Sequence, residues 1–142
     1  MNGLVRFFRF NFIPRSADLG LLVLRVWLGL TLLFNHGWGK LMNFSAMSEK
    51  FADPFGLGMK VSLGLATFAE VVCAALLVIG FLTRFATLVL VINMATAFWF
   101  AHNMKLSGPG NGELPFLYLA GFVTLFLAGA GRFSVDGKTN RA

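Results

Sequence analysis

The chain has 142 residues, 57% of them hydrophobic and 13% charged, with 17 Phe, a single Cys and a formal net charge of +6. A soluble domain carries roughly 25% charged residues and a disordered chain needs low hydrophobicity with high charge, so this composition excludes both. One Cys excludes a disulfide scaffold and an intramolecular dithiol couple, which leaves a small all-α integral membrane protein with residues 1–142 as one domain.

The segment Leu4 to Ile13, with four Phe and two Arg, is too short to span and is expected to lie in the membrane interface. No cleaved leader is expected, because Arg25 interrupts the apolar core that a signal peptide would need. The first span runs over about 19–40, apolar or small apart from Arg25 as far as Phe34 and free of charge from Val26 to Gly39. The second covers about 61–82 and is broken only by Glu70; the third, about 85–102, has no charge from Phe85 to Ala101 and one strongly polar side chain there, Asn93; the fourth, about 114–131, is again uncharged. Each approaches the ~17–25 residues that a helix needs to cross hydrocarbon, where unpaired backbone amides exclude everything but helices and closed barrels. The blocks lack the alternation of barrel strands.

Turn signals fall between them. Asp53-Pro54-Phe55-Gly56-Leu57-Gly58 and Ser107-Gly108-Pro109-Gly110-Asn111-Gly112 are loops, and Phe81-Leu82-Thr83-Arg84 leaves a tight turn between spans two and three. Pro115 suits the first turn of the fourth helix, with Glu113 at its positive dipole end. The expected architecture is therefore a polytopic bundle of four transmembrane helices with a short N-terminal interfacial segment. Four crossings put both termini on one side. That side carries Arg6, Arg9, Arg15, Arg84, Arg132, Lys138 and Arg141, against Lys40, Lys50, Lys60 and Lys105 opposite, so the termini are expected in the cytoplasm. The basic residues punctuate apolar blocks and form no nucleic-acid motif, so the bilayer is the expected partner and nucleic acid is not.

Two groups of polar residues stand out. An unpaired ion within hydrocarbon costs ~2.5–3.5 kcal/mol on insertion scales, so Arg25 and Glu70 are expected to pair, across a depth difference of roughly 9 Å that a long side chain and helix tilt can close. The pair reads as a structural lock on helix register or as a proton- or quinone-binding group. Ala66 and Ala74, one turn either side of Glu70, form a small-residue stripe for close packing. Arg25, Gly29, Leu32, His36 and Lys40 make a seam along one face of the first helix. His36, His102 and Glu113, with Trp38 and Trp99, are expected at similar depth near the far surface. They read as an aromatic interfacial belt or as a site for a quinone or another small molecule. There is no HxxxH or ExxH spacing, and no metal is assigned. Cys73 reads as a small buried hydrophobe and Asn93 as packing glue between helices.

Taken in order, Arg25-Val26-Trp27-Leu28-Gly29, Phe34-Asn35-His36-Gly37-Trp38-Gly39-Lys40, Glu70 with Leu77 to Arg84, Ala97 to His102, Gly112-Glu113 and Gly129 to Asp136 resemble the DoxX family of bacterial and archaeal membrane proteins. The resemblance covers about Leu19 to Gly137. It implies a four-helix membrane bundle associated with electron transfer, alongside partner oxidoreductases that handle quinones or thiols, and it supplies no catalytic residue. The expected function is a small plasma-membrane subunit linked to quinone or thiol redox chemistry and working with a partner oxidoreductase. The alternative is a non-catalytic adaptor or structural subunit that recruits a partner through its aromatic surface. Quinone is the candidate cofactor, and self-association into a homo-oligomer is left open.

Overall fold

The computed structural model describes residues 3–10 and 13–139. Of the basic residues counted above, the Arg6 side chain and Arg141 lie outside the described residues. Helix α1 (Gly3–Phe8) is followed by α2 (Ala17–Met42), α3 (Phe44–Met47), α4 (Met59–Ile79), α5 (Thr83–Ala101), α6 (Glu113–Ala128) and α7 (Val135–Thr139). No strand occurs among the described residues. Three helices, α2, α4 and α5, with 26, 21 and 19 residues, are long and apolar enough to cross a membrane. The fourth apolar block forms a helix of 16 residues, roughly 24 Å long. It stops three residues short of the expected end, where Gly129 and Gly131 take φ of 79° and 74°.

Local chemistry sets the ends. Ser16 caps α2 by accepting the Leu19 N–H at 3.1 Å. Gly80, at φ 71°, closes α4 in the left-handed conformation, and the Phe81 N–H reaches back to the Leu76 carbonyl at 3.0 Å. Hydroxyls inside the helices turn inward on their own backbone: Thr31 donates to Trp27, Thr67 to Leu63, Thr87 to Thr83 and Thr124 to Ala120. Each side chain thereby needs no partner from an apolar surrounding.

The four long helices share one core, in which Leu32 of α2 meets Cys73, Ala74 and Leu77 of α4, Leu90 and Met94 of α5, and Phe122 and Leu125 of α6. Helix α6 packs chiefly on α5, and α2 on the second half of α4. The α2–α4 approach is very close. A Cβ on Gly29 would lie 3.1 Å from the Ala74 carbonyl oxygen, and one on Gly37 2.5 Å from that of Glu70. The Gly29 contact bears out close packing at Ala74, while Ala66, the other member of the expected stripe, lines a cavity. Trp27, Leu65, Ile92 and Leu127 of the long helices point outward and are more than half exposed. So broad an apolar exterior is a liability in water and suits acyl chains.

Each of the three longest helices also widens into a π turn, over 33–37 in α2, 68–73 in α4 and 97–101 in α5. Such turns are rare and gather at functional sites. Nothing in the residue pattern marks them in advance.

Candidate functional site

Two polar nodes are buried in the bundle, and they are not the pair expected from the sequence. Arg25, 1% exposed, does not meet Glu70. Its Nη1 donates to the Leu77 carbonyl at 3.3 Å and to that of Val78, and its Nη2 to the Phe133 carbonyl. Two of these acceptors are carbonyls of the last turn of α4, that of Leu77 shared with the Gly80 N–H at 3.1 Å, and the third belongs to the segment after α6. A guanidinium there also lies at the negative end of the helix dipole. The register explains the difference. Arg25 is level with Val78, eight residues beyond Glu70, so the carboxylate is roughly 12 Å further along the bundle.

The same end is closed by the chain after α6. The Asp136 N–H donates to the Gly80 carbonyl at 2.9 Å, while its carboxylate accepts the Leu82 N–H at 2.9 Å and the Thr83 N–H at 2.8 Å. Asp136 thus caps α5, whose preceding residue, Leu82, sits at φ 49° and makes no side-chain cap. Burial pushes the Asp136 carboxyl upward, but the amides of Thr83 and Leu82 and the positive charge of Arg25 outweigh it and hold the group below the usual carboxylate value. Asp18 completes the closure by accepting the Arg132 N–H at 2.8 Å and pairing with its side chain at 3.3 Å.

The second node lies in the other half of the bundle. Glu70, in the π turn of α4, accepts from Lys40 Nζ and from Asn93 Nδ2, the latter at 3.2 Å. The Lys40 and Glu70 side chains are 16% and 8% exposed. Lys40 lies on the seam that also carries Arg25, at the last position of the expected span, and α2 runs on to Met42. Asn93 joins α5 to α4, which confirms its role between helices.

These three side chains form the polar wall of a cavity of about 480 Å³ between α4, α5 and the loop after α3. The rest is largely apolar, with Phe51, Pro54, Phe55 and Leu57 from the loop, Leu65 and Phe68 from α4, and Ile92 and Phe100 from α5. The Phe55 ring meets Phe100 edge-on at 5.4 Å, so the loop touches α5. Asp53 fastens that loop to the start of α4 by accepting from the Ser62 hydroxyl at 2.7 Å, the Gly58 N–H at 2.8 Å and the Leu57 N–H at 3.0 Å. The Ser62 bond and then the Gly58 amide hold its carboxyl below the ordinary range, against a smaller effect of burial. An apolar cleft ending in a few convergent polar groups is the usual build of a small-molecule site.

The residues singled out as a quinone site stand at this same end but are dispersed, and none of them lines the cavity. His36 lies edge-on to Tyr118, with ring centres 6.3 Å apart. The Nδ1 of His102 is 2.9 Å from the Gly110 carbonyl; since a carbonyl only accepts, that nitrogen carries the proton and fastens the loop before α6. Glu113 is exposed at the start of α6, its N–H held by Asn111. Trp38 and Trp99 face outward, 50% and 59% exposed. Among the described residues, no group of three His, Cys, Asp or Glu side chains is placed to hold a metal ion. Cys73 is fully buried in the core.

Comparison with known proteins agrees with these features. Two proteins of Haemophilus influenzae, both described as uncharacterized, are similar. One is 32% identical over 72% of this chain and 78% of its own length, the other 31% identical over 85% and 83%. No solved structure matches. The DoxX family model matches residues 20–103, a stretch that holds Arg25, Lys40, Glu70 and Asn93. With more than half of its length matched, this chain belongs to the DoxX family of membrane proteins.

Proposed function

We propose that this protein is a small subunit of a membrane oxidoreductase and that it holds a quinone in the cavity between α4 and α5. The supporting observation is the roughly 480 Å³ apolar cleft that ends on Lys40, Glu70 and Asn93. The isoprenoid chain lies against Phe51, Phe68 and Ile92 and leaves toward the bilayer. The ring carbonyls accept from Lys40 and Asn93, which keep N–H donors beyond those given to Glu70. A quinone takes up two electrons and two protons to become a quinol. The partner subunit exchanges the electrons, and this chain binds and orients the ring.

In this reading all four long helices cross the plasma membrane of a bacterium or archaeon, with both termini in the cytoplasm. His36, Trp38, Trp99, His102 and Glu113 form the rim at the far surface, around the site rather than within it. The adaptor reading draws on a different feature, the shallow hollow on α5 formed by Ala95, Thr96, Trp99 and Phe100, which offers a partner helix an aromatic handhold.

Photolabelling with an azidoquinone tests the proposal on protein reconstituted in phosphatidylcholine nanodiscs. The label is expected on residues of α4 and α5 that line the cavity, to be blocked by excess decylbenzoquinone, and to be lost when Ala97→Phe fills the cleft. Labelling that neither competitor nor filling mutation alters would refute it.

A further inference from the structure

The quinone reading leaves open what the carboxylate is for, since Lys40 and Asn93 alone would offer donors to a ring carbonyl. Among the described residues, Lys40 and Glu70 are the only charged side chains that line the cavity. They are in contact, so the wall is polar but has no net formal charge. Lys40 presents three N–H donors and gives one to Glu70, and Asn93 gives one of its two. An uncharged acceptor can take a remaining donor without disturbing the pair. An anionic head has to compete with Glu70 for Lys40, and success leaves a nearly buried carboxylate without its countercharge and with the Asn93 amide alone, which is strongly unfavourable. Asp53, hydrogen-bonded to the lining residue Ser62, adds a second negative charge beside the mouth.

We infer that Glu70 is a charge filter: it makes the cavity admit amphiphiles with an uncharged, hydrogen-bond-accepting head and turn away anionic ones of equal chain length. This inference rests on the proposed occupancy of the cavity. A bilayer rich in fatty acids and acidic lipids offers many such anions, and a bare lysine at the base of an apolar cleft would collect them.

The test uses the azidoquinone assay with two competitors of the same acyl chain, one with an uncharged and one with an anionic head, methyl dodecanoate and dodecanoate, their concentrations corrected for partition into the nanodisc. On the natural chain the ester is expected to displace the label at a concentration at least tenfold lower than the carboxylate. Glu70→Gln, nearly isosteric, should erase or invert that ratio, and Lys40→Gln combined with Glu70→Gln should restore preference for the ester. Equal displacement by both competitors on the natural chain overturns the inference without any variant, and so does a ratio that Glu70→Gln leaves unchanged. Absence of label from the cavity overturns the occupancy itself, and the filter with it. A cavity that is labelled but indifferent to head charge overturns the filter alone.

Discussion

At the end of the bundle near the termini, Arg25 commits its guanidinium to three backbone carbonyls from two distant stretches of chain, and an aspartate from after α6 covers the adjoining turn. About two turns further along α4, Glu70 meets a lysine and an asparagine that both retain donors, and all three face a cleft. Both arrangements shield an ion from hydrocarbon. They differ in what remains afterward: the first node is closed over by its own chain, and the second keeps hydrogen-bonding capacity on a wall that a ligand can reach. A buried charge in a membrane protein is a functional hypothesis by default, and here the surroundings tie Arg25 to architecture, while those of Glu70 are what the proposed binding role draws on.

Removing the architectural charge should have the largest effect. Arg25→Met strands the Val78 and Phe133 carbonyls and is expected to destabilise the protein by about 2–6 kcal/mol, from ~1–3 kcal/mol for each buried acceptor left unpaired. The fraction folded in a graded SDS titration measures this, and a variant as stable as the natural chain would erase the contrast between the nodes. Arg25→Lys should rescue little, because a single ammonium cannot replace the planar fork that reaches all three acceptors.

Gly80→Ala comes next. Its Cβ would sit 2.5 Å from that of Ser134 and 2.8 Å from Arg25 Nη1, at a φ of 71°. The left-handed backbone alone carries about 1–3 kcal/mol of strain. Gly64→Ala, with nothing within 4 Å of the added methyl, is the matched control and should leave stability essentially unaltered.

Asp136→Ala removes the cap of α5, for a loss of about 1 kcal/mol, and changes the acid response. The folded carboxyl titrates below its unfolded value of about 3.9, so its stabilisation is complete above that pH and disappears as pH falls through the folded value. Stability measured between pH 6 and 3 should lose that acid-dependent part in the variant. The smallest structural effect is expected from Phe55→Ala, which removes one aromatic pair worth about 0.5–1.5 kcal/mol and should speed label exchange from the cavity. Unaltered exchange would mean that the loop does not control entry.

Much of this architecture is legible in the chain. The apolar blocks give the long helices to within three residues of each end, because hydrocarbon demands continuous backbone pairing. The seam through Arg25, Gly29, Leu32 and Lys40 is read from helical spacing alone. What periodicity does not carry is axial register between helices. Measuring depth from the ends of the spans matched Arg25 with Glu70, whereas the contact of Gly37 with the Glu70 backbone aligns the carboxylate with Lys40 instead. Lys40 itself was assigned to the surface, because the apolar run ends just before it. The π turns leave no compositional trace, so a site built beside them stays hidden. Asp136 could have been found by asking what pairs the first amides of α5, since Leu82 has no side chain able to cap them. The histidines were grouped by depth, a coordinate that says nothing of position around the bundle.

Phe133 and Asp136 also bear on how the protein is made. A ribosome delivers Arg25 to the membrane long before it delivers the residues that cover it, so the nascent bundle waits with an incompletely shielded cation while α4, α5 and α6 insert. Arrival of the last described segment is the event that secures the assembly. A chain released before Phe133 would hold every long helix and still lack the Phe133 carbonyl and the Asp136 cap, leaving Arg25 with its contacts on α4 alone.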